Sequence, residues 1–114
     1  MTNANQIITS ALSGVVREKD EMQCYKAWDK YLSKHLEFPF DALIYDSMDS
    51  EVFMEDDKIS VKKIDNYVDL YGLIVEVRAG RKKYFVALCT LEVSDRKSMN
   101  YKLIDAYNEW FHNK

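Results

Sequence analysis

The chain has 114 residues, 47% hydrophobic and 31% charged, with a formal net charge of -3, which suits one domain with a core of its own and excludes a disordered chain. Three glycines and one proline argue against long flexible linkers, and no stretch approaches the ~18 consecutive apolar residues of a membrane span. The N-terminal stretch lacks the basic and apolar regions of a signal peptide, and Cys24 and Cys89 lie far apart with no CxxC or Cys/His cluster, so a reduced, cytoplasmic protein without structural zinc is expected.

Ile7, Ile8, Leu12, Val15 and Val16 recur at helical spacing, interrupted by Gly14. Residues 1–19 are expected to be an N-terminal arm or short helix ahead of a single domain over 20–114. "DEMQCYKAWDKYLSKHL" predicts a helix capped by Asp20, with Cys24, Trp28, Tyr31, Leu32 and His35/Leu36 on one face. It should stop before Pro39, which disfavours helix at the residue preceding it. Period two follows in "FDALIYDS", "KISVKKID" and "LIVEVRAG", the last with Leu73, Val75 and Val77 on one face. "RKKYFVALCTLEVSD" places Phe85, Ala87, Cys89, Leu91 and Val93 together, with a kink near Leu88–Cys89 that would divide it into two strands. "RAGRKK" reads as a hairpin turn, with Gly80 able to take positive φ. Ser98 should cap a last helix lined by Met99, Leu103, Ala106/Tyr107 and Trp110, with Trp110 and Phe111 closing the core. The expected class is α+β: a small curved antiparallel sheet of four or five strands, of the SH3-like barrel kind, flanked by N-terminal and C-terminal helices.

Catalytic signatures are missing: no GxSxG, HExxH, P-loop or GxGxxG occurs, and His35 and His112 are distant from each other. A non-enzymatic protein is expected. "RAGRKKYF" is a basic hairpin with two aromatics, a form that can meet phosphates. The acidic balance of the chain argues instead for a solvated hairpin and no nucleic acid.

The informative feature is charge. Residues 37–57 hold eight carboxylates (Glu37, Asp41, Asp46, Asp49, Glu51, Glu55, Asp56, Asp57) and no Lys, Arg or His, whereas the rest of the chain sums to +5. An acidic segment on a mildly basic body calls for a cation or a basic partner. Ca²⁺ is a hard cation that takes roughly six to eight oxygens. Asp46 to Asp57 has the length of an EF-hand loop, but Met48 stands third, Glu51 stands where that loop needs Gly, and Asp57 stands where it needs Glu. An EF-hand is excluded, and a different oxygen cage is the candidate. Strand alternation turns Asp41 and Tyr45 outward. Asp46, Asp49 and Glu51 can converge in a tight loop, with Asp56 and Asp57 folding back towards them. Asp65 and Asp69 flank "NYV" as a second acidic loop that could supplement the first. The competing reading keeps the same loop, without metal, as the docking surface of an SH3-like module for a basic protein partner.

Three segments in order carry a family resemblance: "WDKYLSKHLEFPFDA", "YGLIVEVRAGRKKYFVALCTLEV" and "SMNYKLIDAYNEWFHN". Together, over residues 25–112, they resemble the CcbP-like calcium-binding protein family, first known from cyanobacteria. The matching residues are Phe38, Pro39, Phe40, Asp41 and Ala42, then Tyr71 and Gly72, Leu91 and Glu92, and Tyr107, Trp110 and Phe111. The resemblance implies a small cytoplasmic buffer or sensor that binds Ca²⁺ through surface carboxylates. It marks the apolar matches as fold signature and adds Asp41 to the candidate ligands. Ala87 stands where the resembling segment often reads Pro.

Overall fold

The computed structural model of the chain describes residues 3–17, 19–47 and 52–114. The first helix, α1 (Ala4–Ala11), opens on a closed capping box: Gln6 N–H donates to Asn3 Oδ1 at 2.9 Å, and Asn3 N–H donates to Gln6 Oε1 at 3.1 Å. Only the front of the apolar spacing over residues 5–17 is used. Ile7 and Ala11 are buried, whereas Val16 is 90% exposed. Helix α2 (Glu21–His35) begins at Asp20, whose carboxylate accepts the Gln23 N–H, and buries Cys24, Tyr25, Trp28 and Leu32. The chain passes through a cis Phe38–Pro39 peptide into β1 (Phe40–Ile44).

Strands β2 (Lys58–Val68), β3 (Gly72–Ala79) and β4 (Lys82–Ala87) follow. A 3-10 turn (Leu88–Thr90) then leads into β5 (Leu91–Val93). All pairings are antiparallel, in the order β4-β3-β2-β1-β5. The sheet is open: β4 and β5 are its two edges. Gly80, at φ 63, makes the tight β3–β4 turn. The last helix, α3 (Met99–Asn113), starts at Ser98, whose hydroxyl oxygen accepts the Tyr101 N–H at 3.1 Å.

Two expectations about faces need correction. Val75 pairs with Val86 and Val77 with Tyr84, whereas Glu76 pairs with Phe85. Directly opposed residues share a face, so Val86 and Tyr84 turn towards the core and Phe85 turns out with Glu76, 54% exposed. The 3-10 turn resets the alternation, which is why Leu91 and Val93 are buried although Phe85 is not. Met99 is 51% exposed, because the first turn of α3 precedes the buried stripe of Leu103, Ile104, Ala106 and Tyr107.

Helix α2 packs on β2 and β3, α3 on β5 and α1 on α3. Between them lies an aromatic cluster in which Trp28 meets Tyr107 edge to face at 5.3 Å and Tyr25 meets Trp110 at 5.9 Å. The buried Tyr107 hydroxyl accepts the Leu73 N–H at 3.0 Å. Beside it Gly72 sits at φ 69, where a Cβ would overlap the Tyr107 hydroxyl oxygen and lie 2.8 Å from Phe111 Cε2. Gly72 and the Tyr107–Phe111 pair, distant in sequence, thus meet in one packing unit, with Trp110 against Tyr107.

Candidate metal centre

The acidic segment leaves β1 at Ile44 and rejoins the sheet at Lys58. Its neck is closed by two backbone hydrogen bonds: Ile44 N–H to the Asp57 carbonyl at 2.9 Å, and Asp56 N–H to the Ile44 carbonyl at 2.7 Å. Asp56 takes φ 70 there, a conformation that Asp tolerates better than most residues. On the outgoing arm, the N–H groups of Tyr45 and Asp46 both donate to the Thr90 carbonyl, at 2.7 and 3.2 Å. Thr90 is itself fixed, since its buried hydroxyl donates to the Ala87 carbonyl at 2.6 Å. On the returning arm, Met54 N–H donates to Asp57 Oδ2 at 2.9 Å and Asp57 N–H to the Met54 carbonyl at 3.2 Å. Phe53, 8% exposed, belongs to the core cluster and packs edge to face on Tyr84 at 5.0 Å. Both arms are therefore tied to the sheet.

The candidate ligands fall in different places. Asp46 is exposed at the base of the outgoing arm. Its charge acts on Cys89: burial pushes that thiol's pKa up, and Asp46 adds to the rise. Asp56 is exposed and Asp57 half-buried on the returning arm, across the neck from Ile44. Asp49 and Glu51 lie outside the described residues. Asp41 faces solvent on β1 opposite Ser60, in a hollow shared with Lys58 and Arg78. The second acidic loop expected from Asp65 to Asp69 is not one: Asp65 is exposed within β2, and only Asp69 lies in the turn that follows. Asp69 Oδ1 accepts the Leu70 N–H at 3.1 Å in the β2–β3 turn, where Leu70 takes φ 72. Among the described residues no three His, Cys, Asp or Glu side chains stand close enough to hold an ion together.

The other polar residues read from the sequence have local roles. Glu92 pairs with Arg96 at 2.9 Å. His35 is exposed with its ring 4.4 Å from Tyr31, and His112 is exposed beside Phe111. Cys24 and Cys89 are both buried and not disulfide-bonded. Sequence reading overlooked Phe53 and Thr90, which hold the two arms of the acidic loop. The signal for Phe53 was present: "VFM" is an apolar triplet inside a run of carboxylates.

The donor set consists of hard oxygens on a loop between two strands. That chemistry suits Ca²⁺. Strand flanks, in place of two helices, rule out an EF-hand.

A protein-family model described as calcium binding, that of CcbP, matches residues 8–111. Among solved structures, the crystal structure of CcbP from Anabaena is 23% identical, with 84% of this chain and 80% of that chain covered at a TM-score of 0.66. A calcium binding protein in the calcium-binding form is 21% identical, with 96% of this chain and 90% of that chain covered at a TM-score of 0.71. At these identities the likeness to both structures is one of fold. A comparison with curated proteins returned no significant match. The family match runs from within α1 through nearly all of α3, so the acidic loop lies inside it; the chain belongs to the CcbP family of calcium-binding proteins.

Proposed function

We propose that this protein binds Ca²⁺ through the carboxylates of the β1–β2 loop and serves as a buffer or sensor of the ion. The observation that carries the reading is the six carboxylates from Asp46 to Asp57, with no Lys, Arg or His among them, on a loop with both arms tied to the sheet, in a chain of a calcium-binding family. Asp46, Asp49 and Glu51 are the main ligands in this reading, and Asp56 approaches from across the neck. Asp57 offers mainly Oδ1, because its Oδ2 accepts the Met54 N–H. Asp65 and Asp69 supplement the site, and Asp41, on β1 outside the loop, is the least favoured member.

The physical logic is mutual repulsion. Carboxylates crowded on a short loop raise one another's energy, and a divalent cation turns that cost into attraction. Binding and ordering of the loop are coupled for this reason. Water and backbone carbonyls complete the six to eight oxygens that Ca²⁺ requires. The alternative, docking of a basic partner by the same loop without metal, draws no support from the family, whose description is calcium binding.

The test is the thermal midpoint of metal-stripped protein with and without millimolar CaCl₂, with MgCl₂ as control. A ligand at 100 times its Kd stabilises a fold by about 2.7 kcal/mol, which for this length shifts the midpoint by roughly 10 °C. Asp46→Asn/Asp49→Asn/Glu51→Gln should abolish the Ca²⁺ shift. A triple variant that keeps the full shift would overturn the ligand assignment. No shift in the unaltered protein would overturn the reading itself.

A further inference from the structure

We propose that β4 is a self-association edge: two copies of this chain pair their β4 strands antiparallel about a two-fold axis at Phe85, joining their sheets into one. The inference goes beyond calcium binding and does not rest on it.

The two edges of the sheet are built differently. β5 has three residues, and its Leu91 carbonyl accepts an Nδ2 hydrogen of Asn108 at 3.1 Å, so α3 covers that edge. β4 has six residues in unbroken register with β3, from Ala79–Lys82 to Ile74–Ala87, and among the described residues it pairs with no other strand. Gly80 and Arg81 form a two-residue turn between Ala79 and Lys82. In such a hairpin the residues that flank the turn exchange both backbone bonds, and bonded and non-bonded pairs alternate beyond them. Lys82, Tyr84 and Val86 therefore spend their N–H and C=O groups on β3, and Lys83, Phe85 and Ala87 point theirs outward. The Ala87 carbonyl fits this rule, since it accepts the Thr90 hydroxyl. An unpaired row of this kind is a template for another strand.

Symmetry and charge select a second copy as the occupant. Directly opposed residues share a face, so a two-fold pairing of β4 with itself must be centred on a residue and not between two. Centred on Phe85, it uses every outward group: Phe85 bonds Phe85 of the second copy, and Lys83 of each copy bonds Ala87 of the other. The Phe85 ring, 54% exposed and turned out with Glu76, then meets its symmetry mate. Arg81, Lys82 and Lys83 crowd the turn end of the strand, whereas Ala87 at the far end borders a hollow that also holds Asp46. Lysines on an edge ordinarily discourage pairing. Here they stand at one end only, and antiparallel pairing lays that end against the acidic end of the other copy, twice over in an isologous contact. One strand pair is a small contact, so the dimer is a weak one that depends on concentration.

The experiment is sedimentation velocity of the full-length protein with EDTA present, from micromolar to millimolar concentration, at low and at high NaCl. It is run on the unaltered chain, Phe85→Lys, Phe85→Glu and an equal mixture of the two variants, with circular dichroism to check that each variant folds. The unaltered chain should pass from monomer to dimer as concentration rises, less readily in high salt. Like charges directly opposed destabilise a strand pair and opposite charges support it, so each variant alone should stay monomeric and the mixture should dimerise. If a variant does not fold, amide hydrogen exchange of the unaltered chain carries the test: exchange at Lys83, Phe85 and Ala87 should slow as concentration rises. An unaltered chain that stays monomeric at millimolar concentration would overturn the proposal and leave the edge to a different partner. So would a dimer that persists in both variants, a mixture no more associated than either variant alone, or exchange at Phe85 that is independent of concentration.

Discussion

Replacing Gly72 by alanine tests the packing unit that joins the β2–β3 turn to α3. Gly72 has φ 69, and a left-handed conformation costs a residue with a Cβ about 1–2 kcal/mol. The new methyl would also occupy the position of the Tyr107 hydroxyl and press on Phe111 Cε2 at 2.8 Å. If Tyr107 yields, the buried Leu73 N–H loses its acceptor at 3.0 Å, and an unsatisfied buried donor costs about 1–3 kcal/mol. The expected loss is then about 2–5 kcal/mol. An unfolding entropy of about 2.1 cal/mol/K per residue makes each kcal/mol worth roughly 4 °C in a chain of this length. Gly72→Ala should therefore lower the thermal midpoint by about 8–20 °C, read by circular dichroism in the absence of Ca²⁺. The cycle with Tyr107→Phe separates the parts. Removing the hydroxyl also removes one of the two atoms in the way, so Gly72→Ala should cost less in that background than alone. A single-variant loss below about 1 kcal/mol, or an equal loss in both backgrounds, would refute the reasoning.

Tyr107 also predicts alkaline behaviour. Burial pushes its hydroxyl's pKa far above the ordinary tyrosine value, while the Leu73 N–H pulls the other way with less effect. The folded protein therefore keeps a proton that the unfolded chain gives up near pH 10, so stability from this group is complete below about pH 10 and is lost as pH rises beyond it. Tyr107→Phe should flatten the fall of the thermal midpoint between about pH 10 and 11.5, and an unchanged slope would count against the assignment. Asn100 bridges the link between α2 and β1: it accepts the Glu37 N–H at 3.0 Å and donates to the Glu37 carbonyl at 2.8 Å. The bridge is solvent-exposed, so Asn100→Ala should cost about 1 kcal/mol, visible as a drop of roughly 4 °C; no drop would mean that the bridge does not contribute in solution.

Much of the architecture was legible along the chain because its signals are local. Asp20 and Ser98 cap the helices they were expected to cap, and Gly80 takes positive φ in the expected hairpin turn. The kink read at Leu88–Cys89 is a 3-10 turn between two strands. Tyr25 was missed as a core residue because it stands beside the apolar stripe of α2; it is buried by α3, whose Trp110 and Phe111 close over it. Phe85 was assigned inward because alternation was carried unbroken through a turn that interrupts it. For the acidic loop, composition identified the donor chemistry. The described residues show its frame: a neck at Ile44, a carbonyl at Thr90 and an anchor at Phe53.

The sequence by itself determined the order and kind of the elements, the caps that start the helices and the place where negative charge collects, because each depends on residues a few positions apart. The tertiary structure alone decided which aromatic residues meet, why Gly72 must be glycine, and which side chain ties the acidic loop to the far edge of the sheet. Periodicity records which face of an element is apolar, but what covers that face is set by residues 30 or more positions away, as with Leu73 and Tyr107. Those contacts exist only once the chain has closed on itself.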